Sequence, residues 1–540
     1  MPTFTREEMF SFFKQNERMI LDTWKKDGGI MSEVIERMLL KSLAIPSDDT
    51  NTDIPESVVS SSNGKFITLD NTNTDIWEYI KDATNILFVK PVQSGKTADI
   101  LKVVEHLYKT HIIIFVSDKN VGLAGQTNER SRILGYSIKD FRDIGNVGEA
   151  YKYMLSNSTD TLAGKGKKRI AHFLMEINNT RMLMQLLVIT PANIPVALII
   201  DEGDKNRNVE DKVSSDDNDD EDTEMKLPPI TAGLLACKNI LHDKKNGSKT
   251  VYVTATPQGV MCSEKDEDRV VVYKKPYENY TGVGLDHEHN LELVNCMLEN
   301  DCKASLRWTG KDRYSNTFYS GVIQAVDRFE KMGTKDESVK QLMLISLENH
   351  NDPQGRLAAY CRSIITPEND NKIGIILLNG INKDKANPLL SDKIKAMPQS
   401  KIIIIAGFMA SRGVSFTDFS NPDNKFELIA QVHASKKIAP LNSSMQAMRI
   451  YGPARRTISR AILFCNLITW EDNTYNFREA YRVCKELAEG KKVIYQNRYN
   501  PDRPLTQKSN MRYMKQGFNA NILLFESHDP ADHEPVKNMM

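Results

Sequence analysis

Asn85-Ile-Leu-Phe-Val-Lys-Pro-Val-Gln-Ser-Gly-Lys-Thr97 joins an apolar run to a polar turn and then to a helical pattern. Ile86 to Val89 reads as a buried strand. Thr97 to Tyr108 reads as a helix, with Ile100, Leu101, Val104 and Leu107 on one face. Strand, turn and helix in this order are the context of a phosphate-binding loop. The N–H groups of the turn (Gln93, Ser94, Gly95) and of the helix start would face an anion. Lys96 would add a point charge on the outer phosphates, and the Thr97 hydroxyl would ligate Mg²⁺. The usual pattern asks for glycine at position 90, where this chain has Lys90. The competing reading is an ordinary strand–turn–helix with an exposed lysine.

The rest of the chain supports the first reading. It has 540 residues, enough for several cores, with 40% hydrophobic and 26% charged residues. Lys and Arg total 71 against 71 Asp and Glu, so any nucleic-acid surface must be local rather than a bulk property. No apolar run reaches membrane-spanning length and the first residues lack a secretory pattern, so a soluble, intracellular protein with no membrane partner is expected. Seven cysteines without a C-x-x-C motif suggest reduced, mostly buried thiols. His287 and His289, beside acidic residues, read as a solvated loop rather than a metal site.

Residues 1–64 read as a helical accessory region and linker. From residue 65 continuous apolar strands alternate with helical stretches, the signature of a parallel sheet covered on both faces. The strands expected after the loop are His111–Ser117, Leu186–Thr190, Val196–Ile200 and Val251–Thr254. The run Val196–Ile200 ends in Asp201-Glu202-Gly203-Asp204. Carboxylates at the carboxyl end of a buried parallel strand lie at the ligand edge of the sheet. Asp201 is placed to hold Mg²⁺ through water, and Glu202 to orient or deprotonate an attacking water. Thr254-Ala255-Thr256-Pro257 ends the last of these strands, and its hydroxyls can bond the neighbouring carboxylate motif. Residues 209–224, with nine acidic residues in sixteen, read as a solvated insertion. The first core is expected to span 65–262 and to exit over Cys262 to Tyr280.

A second α/β pattern spans 263–475, with strands at Leu342–Leu347, Ile373–Leu378, Lys401–Gly407, Phe426–Val432 and Ala461–Ile468. It has no second phosphate loop, which suggests a nucleotide held between two similar cores, the second supplying arginines. Residues 476–540 read as a helical region and tail, with a helix at Asn476–Glu489.

Taken together, KPVQSGKT (90–97), DEGD (201–204), TATP (254–257), AGFMASRGVSF (406–416) and QAMRIYGPARR (446–456) resemble motifs I, II, III, V and VI of the superfamily-two helicases. These are the DExD/H-box ATPases. Order and spacing match over about residues 66 to 470. The implied fold is α/β, two tandem RecA-like parallel-sheet domains of the P-loop NTPase type. The departures are Lys90 and Gln93, where the family has a small residue and a glycine, and Arg449, one residue early after Gln446. VQSGKT and SRGVS look closer to a divergent branch associated with restriction systems and mobile or viral genomes. Asn- and Lys-rich loops agree with an AT-rich, viral source.

The resemblance implies that Lys96 and Thr97 bind phosphate and Mg²⁺, and that Asp201 and Glu202 bind Mg²⁺ and activate water. Arg449 and Arg455 or Arg456 would reach the γ-phosphate. Arg412, Gly413 and Gln446 would face the nucleotide. The cofactors would be ATP and Mg²⁺ and the partner nucleic acid, DNA before RNA. Gly164–Arg169 is a basic loop suited to phosphates, and Lys508, Arg512 and Lys515, interleaved with Tyr513 and Phe518, form a second candidate. The expected activity is ATP-driven helicase or translocase work. The rivals are a restriction or packaging motor with a nuclease, an inactive interaction protein, and an ATPase clamp that does not unwind.

Overall fold

The structure is a computed structural model. It describes residues 65–72, 75–118, 121–140, 144–153, 168–204, 229–257, 260–261, 269–283, 291–295, 316–346, 351–369, 372–378, 390–406, 416, 425–433, 447–465, 467–489, 493–495 and 522–524. The expected N-terminal helices, the acidic run 209–224, His287, His289 and the C-terminal tail lie outside these residues.

Two large, wholly parallel sheets organise the chain. The first contains β1 (Lys65–Leu69), β2 (Asn85–Val89), β3 (Ile112–Ser117), β4 (Ser137–Asp140), β5 (Arg169–Leu174), β6 (Val196–Asp201), β7 (Lys249–Thr254) and β8 (Val270–Lys274). Its strand order is β1-β8-β2-β7-β6-β3-β5-β4. Every residue of β2, β3, β6 and β7 is buried, which explains the apolar runs at their centres. After the short strand β9 (Tyr280–Thr281) comes the second sheet. It contains β10 (Leu291–Asn295), β11 (Lys340–Ser346), β12 (Ile373–Leu378), β13 (Lys401–Ala406) and β14 (Phe426–His433), and, beyond the short β15 (Gly452–Pro453), β16 (Ala461–Cys465). Its order is β10-β16-β14-β11-β13-β12. Two all-parallel, helix-covered sheets in tandem are the two RecA-like domains expected from the sequence. Among the described residues no helix is long and apolar enough to cross a membrane.

Four expectations change. Leu186–Thr190 is not a strand: it ends the helix Ile177–Ile189 and caps it. That helix packs against both the sheet and the helix Pro229–Asp243, so Leu183, Leu186, Leu187 and Ile189 are all buried. A short apolar run on a buried helix has no period to tell it from a strand. The missing strand is β5, RIAHFL, disguised by Arg169 and His172. The first sheet runs on past residue 262, because β8 inserts between β1 and β2. At the far end, β16 stops at Cys465 and a helix runs from Leu467 to Ala488. A two-stranded parallel pair, Val493–Tyr495 with Ile522–Leu524, stands where only helix and tail were expected.

The helix Leu467–Ala488 returns from the second sheet to the first. Tyr481 meets Phe66 and Tyr273 edge-on, with ring centroids 5.5 and 4.6 Å apart. One apolar cluster passes from the first sheet through Tyr280, Val283 and Tyr451 into the second. Cys237, Cys361, Cys465 and Cys484 are buried and form no disulfide among the described residues.

Candidate nucleotide site between two sheets

The strand order explains why three motifs distant in sequence form one edge. β2, β7 and β6 are neighbours, so the loops that follow them, KPVQSGKT, TATP and DEGD, stand side by side at the carboxyl ends. Backbone bonds stitch them together: Lys90 N–H donates to the Thr254 carbonyl (3.2 Å) and Gly203 N–H to that of Val253 (3.1 Å).

The loop has the curl of an anion cradle. Gly95, the N-cap of the helix Lys96–Leu107, sits at φ 91°, a left-handed conformation that favours glycine. Gln93 also has positive φ, 58°. That explains the family's glycine there, and it means this chain holds a side chain in a strained region at about 1 kcal/mol. Ser94 closes the turn: its N–H and its hydroxyl both donate to the Pro91 carbonyl (3.2 and 2.5 Å). Its hydroxyl therefore shapes the loop.

Lys96 is buried and Thr97 half-exposed at the helix start. Asp201 and Glu202 are each 4% exposed. The Asp201 carboxyl is pushed up to about 7 by burial and by the Glu202 charge, with Lys96 and Arg130 pulling the other way. Glu202 has φ 56°, and its buried Oε2 has no hydrogen-bond partner among the described residues. Two crowded, buried carboxylates, one with an orphaned oxygen, are oxygen donors. They fit a hard divalent cation such as Mg²⁺.

The third carboxylate of DEGD is committed elsewhere. Asp204 accepts hydrogen bonds from the Thr254 hydroxyl on Oδ1 (2.6 Å) and the Thr256 hydroxyl on Oδ2 (2.5 Å), and all three are buried. The sequence reading anticipated this bond between TATP and the carboxylate motif.

The second sheet reaches the loop through QAMRIYGPARR. β15 pairs antiparallel with β9, joining this segment to the connection between the domains. The Tyr280 hydroxyl of β9 donates to the Val92 carbonyl (2.6 Å). A Cβ placed on Gly452 would stand 3.5 Å from the Gln93 carbonyl oxygen. Arg449 is 2% exposed in the turn before this contact, and its charge, with that of Arg455, acts on the Tyr280 phenol.

The other two arginines are used differently from the expectation. The Arg455 guanidinium donates to the carbonyls of Leu428 (2.6 Å), Pro453 and Ile450, which ties it to its own turn. Burial lowers it to about 10. Arg456 is exposed and its charge acts on Asp336, which precedes β11 and so lies at the amino edge of the second sheet. Gly413, Arg412 and Gln446 lie outside the described residues, as do Lys508, Arg512, Tyr513, Lys515 and Phe518.

Sequence reasoning missed several residues that set this geometry. Gln431, fully buried on β14, donates to the Ala447 carbonyl (3.0 Å) and accepts from Ile450 N–H (2.8 Å), which clamps the turn carrying Arg449. Glu427 accepts from the N–H groups of Arg456 and Thr457. Lys90, Asp99 and Lys274 form a buried ion cluster beneath the phosphate loop. The signal available in the sequence was a charged residue inside an apolar strand or helix face. Of the basic stretch Gly164–Arg169, Lys168 packs over the Tyr108 and Tyr136 rings and pairs with Glu105 at 3.3 Å. Arg169 opens β5.

No protein-family model matches the sequence, and no curated protein matches it. Among solved structures, the chain is similar to the Mycobacterium smegmatis helicase Lhr bound to ssDNA and AMP-PNP, at 12% identity and TM-score 0.41, over 75% of this chain and 47% of that one. It is similar to Mss116p bound to ssRNA and AMP-PNP, at 12% identity and TM-score 0.42, over 93% and 82%. It is also similar to the DUF1998 helicase MrfA bound to DNA, at 12% identity and TM-score 0.42, over 82% and 51%. The chain spans about half the length of the Lhr and MrfA chains. These alignments are loose, and the two-domain RecA-like fold stands on the strand order and parallel connections given above.

Proposed function

We propose that this chain is an ATP-dependent nucleic-acid helicase or translocase that hydrolyses ATP between its two sheets. The observation that carries the reading is the contact of the second domain and of the interdomain connection with the phosphate loop: Gly452 against Gln93, and Tyr280 bonded to Val92. A loop gripped from both sides couples its occupancy to the domain contact, which is what a motor needs.

In this reading the N–H groups at the start of Lys96–Leu107 and the Lys96 ammonium hold the β- and γ-phosphates. Thr97 and Asp201 would hold Mg²⁺, which would supply neutralising charge to the phosphates. Glu202 orients the attacking water and takes its proton. Arg449 stabilises charge on the γ-phosphate from the second domain. Asp204, Thr254 and Thr256 carry displacements of the carboxylate loop into β7. The nucleic-acid track, DNA before RNA, crosses the two carboxyl edges.

A second reading, an ATPase clamp that does not translocate, is favoured by one feature. The helix Leu467–Ala488 ties the sheets at a second point, with Trp470 on Tyr451 and Tyr481 on Phe66 and Tyr273, which limits how far the cleft opens.

The test is steady-state ATP hydrolysis with and without single-stranded DNA, duplex DNA and RNA, beside Lys96→Ala and Glu202→Gln. Stimulation by one nucleic acid, lost in both variants, supports the motor and names its track. Stimulation without displacement of a labelled strand or a roadblock supports the clamp. A wild type that binds ATP without hydrolysing it refutes both.

A further inference from the structure

Position 90, where a phosphate loop has glycine, carries a lysine that is 0% exposed. Its Nζ donates to Asp99 Oδ2 at 2.6 Å and lies 4.7 Å from the centroid of the Tyr277 ring. The other oxygen of Asp99 accepts from Lys274 Nζ at 2.8 Å. The register explains the pairing: Val89 on β2 stands opposite Tyr273 on β8, so the next residues, Lys90 and Lys274, emerge side by side beneath the loop. Asp99, on the first turn of the phosphate-loop helix, lies between them.

A brace would need one lysine for one carboxylate. Here two buried ammoniums share Asp99, and a third, Lys96, stands close enough to act on Lys90. The groups facing Lys90 among the described residues are Asp99 and Lys96 from the helix, Lys274 from β8 and Tyr277 beyond it. Only one of them is an anion. Unbalanced charge in a dry site is costly unless something compensates it. Burial, with Lys274 and Lys96 adding to it, lowers Lys90 to about 8.

We infer that Lys90 is a positioning residue for a polyphosphate, its cluster with Lys274 and Asp99 supplying an excess of positive charge behind the loop that the bound nucleotide neutralises. This rests on the nucleotide reading above. It follows that the chain replaces the glycine of the pattern with a charge, and that nucleotide binding makes Lys90 more basic.

The probe is Mg²⁺·ADP, fully ionised at pH 8, titrated calorimetrically into the full chain in two buffers of different ionisation heat. Wild type is expected to take up about half a proton more per nucleotide than Lys90→Met at pH 8, a difference that almost vanishes at pH 6.5 and in which the shared Asp201 carboxyl cancels. Lys90→Met should also bind about tenfold more weakly, the effect of one charge on the order of 10 Å away at an effective dielectric of about 20. Lys90→Gly restores the pattern glycine without the charge and should be as weak. Asp99→Asn removes the anion that Lys90 and Lys274 share and should bind as tightly as wild type or tighter. No difference in proton uptake between wild type and Lys90→Met overturns the inference. So does Lys90→Gly binding like wild type, or Asp99→Asn falling in step with Lys90→Met. If wild type binds no nucleotide, the nucleotide reading itself fails; if it binds and only Lys96→Ala abolishes this, the inference alone falls.

Discussion

Replacing Asp204 with alanine should uncouple the carboxylate loop from β7, at a cost that the geometry sets. Both Asp204 oxygens accept threonine hydroxyls at 2.6 and 2.5 Å, and neither Thr254 nor Thr256 reaches solvent. Removing the carboxylate orphans two buried hydroxyls at about 1–3 kcal/mol each, so Asp204→Ala should cost about 4 kcal/mol. Thr254→Val alone should cost about 1–2 kcal/mol, because Asp204 keeps Thr256. The Thr254 hydroxyl also accepts from Thr256 N–H at 3.0 Å, so its loss loosens the turn itself. In the Asp204→Ala background the valine should cost only the acceptor it takes from Thr256 N–H, less than in the wild type, leaving a coupling energy of about 1 kcal/mol. Urea unfolding of the four proteins gives the cycle, and amide exchange along β7 localises it. Hydrolysis in Asp204→Ala should lose its response to nucleic acid before it loses nucleotide binding. Additivity of the two substitutions within about 0.5 kcal/mol would refute the reasoning.

Gly282 has φ 140°, and a Cβ there would lie 2.7 Å from Tyr451 Cγ and 2.9 Å from the Tyr280 hydroxyl. Gly282→Ala should cost about 2–5 kcal/mol at the contact between the sheets, and hydrolysis should fall while nucleotide still binds the first domain. Gln431→Leu should strip the clamp from the Arg449 turn, exposing the Ile450 amide to fast hydrogen exchange and lowering hydrolysis with little change in nucleotide affinity. The Asp201 carboxyl is raised from 3.8 to about 7. With magnesium withheld, the folded state therefore binds a proton that the unfolded state has released, and stability falls as pH rises from about 4 to about 7. The ceiling is about 4 kcal/mol at 1.36 kcal/mol per pH unit. Asp201→Asn should flatten this dependence in melting curves, and Mg²⁺ should restore wild-type stability above pH 7.

The sequence by itself determined the two-sheet α/β architecture and the adjacency of strand ends to chemistry. Strands buried on both faces must be apolar at their centres, and a loop that cradles an anion must start a helix and carry glycine and lysine; both demands are local and leave a trace in order along the chain. DEGD and TATP were legible for the same reason, and their mutual bond was foreseeable from short polar side chains at neighbouring strand ends. The strand hidden in RIAHFL and the helix hidden in MLMQLLVIT were not, because burial against both sheet and helix erases the helical period and a buried histidine breaks the strand's apolar run. How the arginines after Gly452 are held came from the tertiary contacts alone. Arg455 and Arg456 have the right spacing, yet the Leu428 and Ile450 carbonyls claim one and the amino edge of the second sheet the other. Only the register of β2 against β8 brought Lys90, Lys274 and Asp99 together, across separations of up to 184 residues. Charge balance in a buried site is a sum over neighbours in space, and no window along the chain contains it.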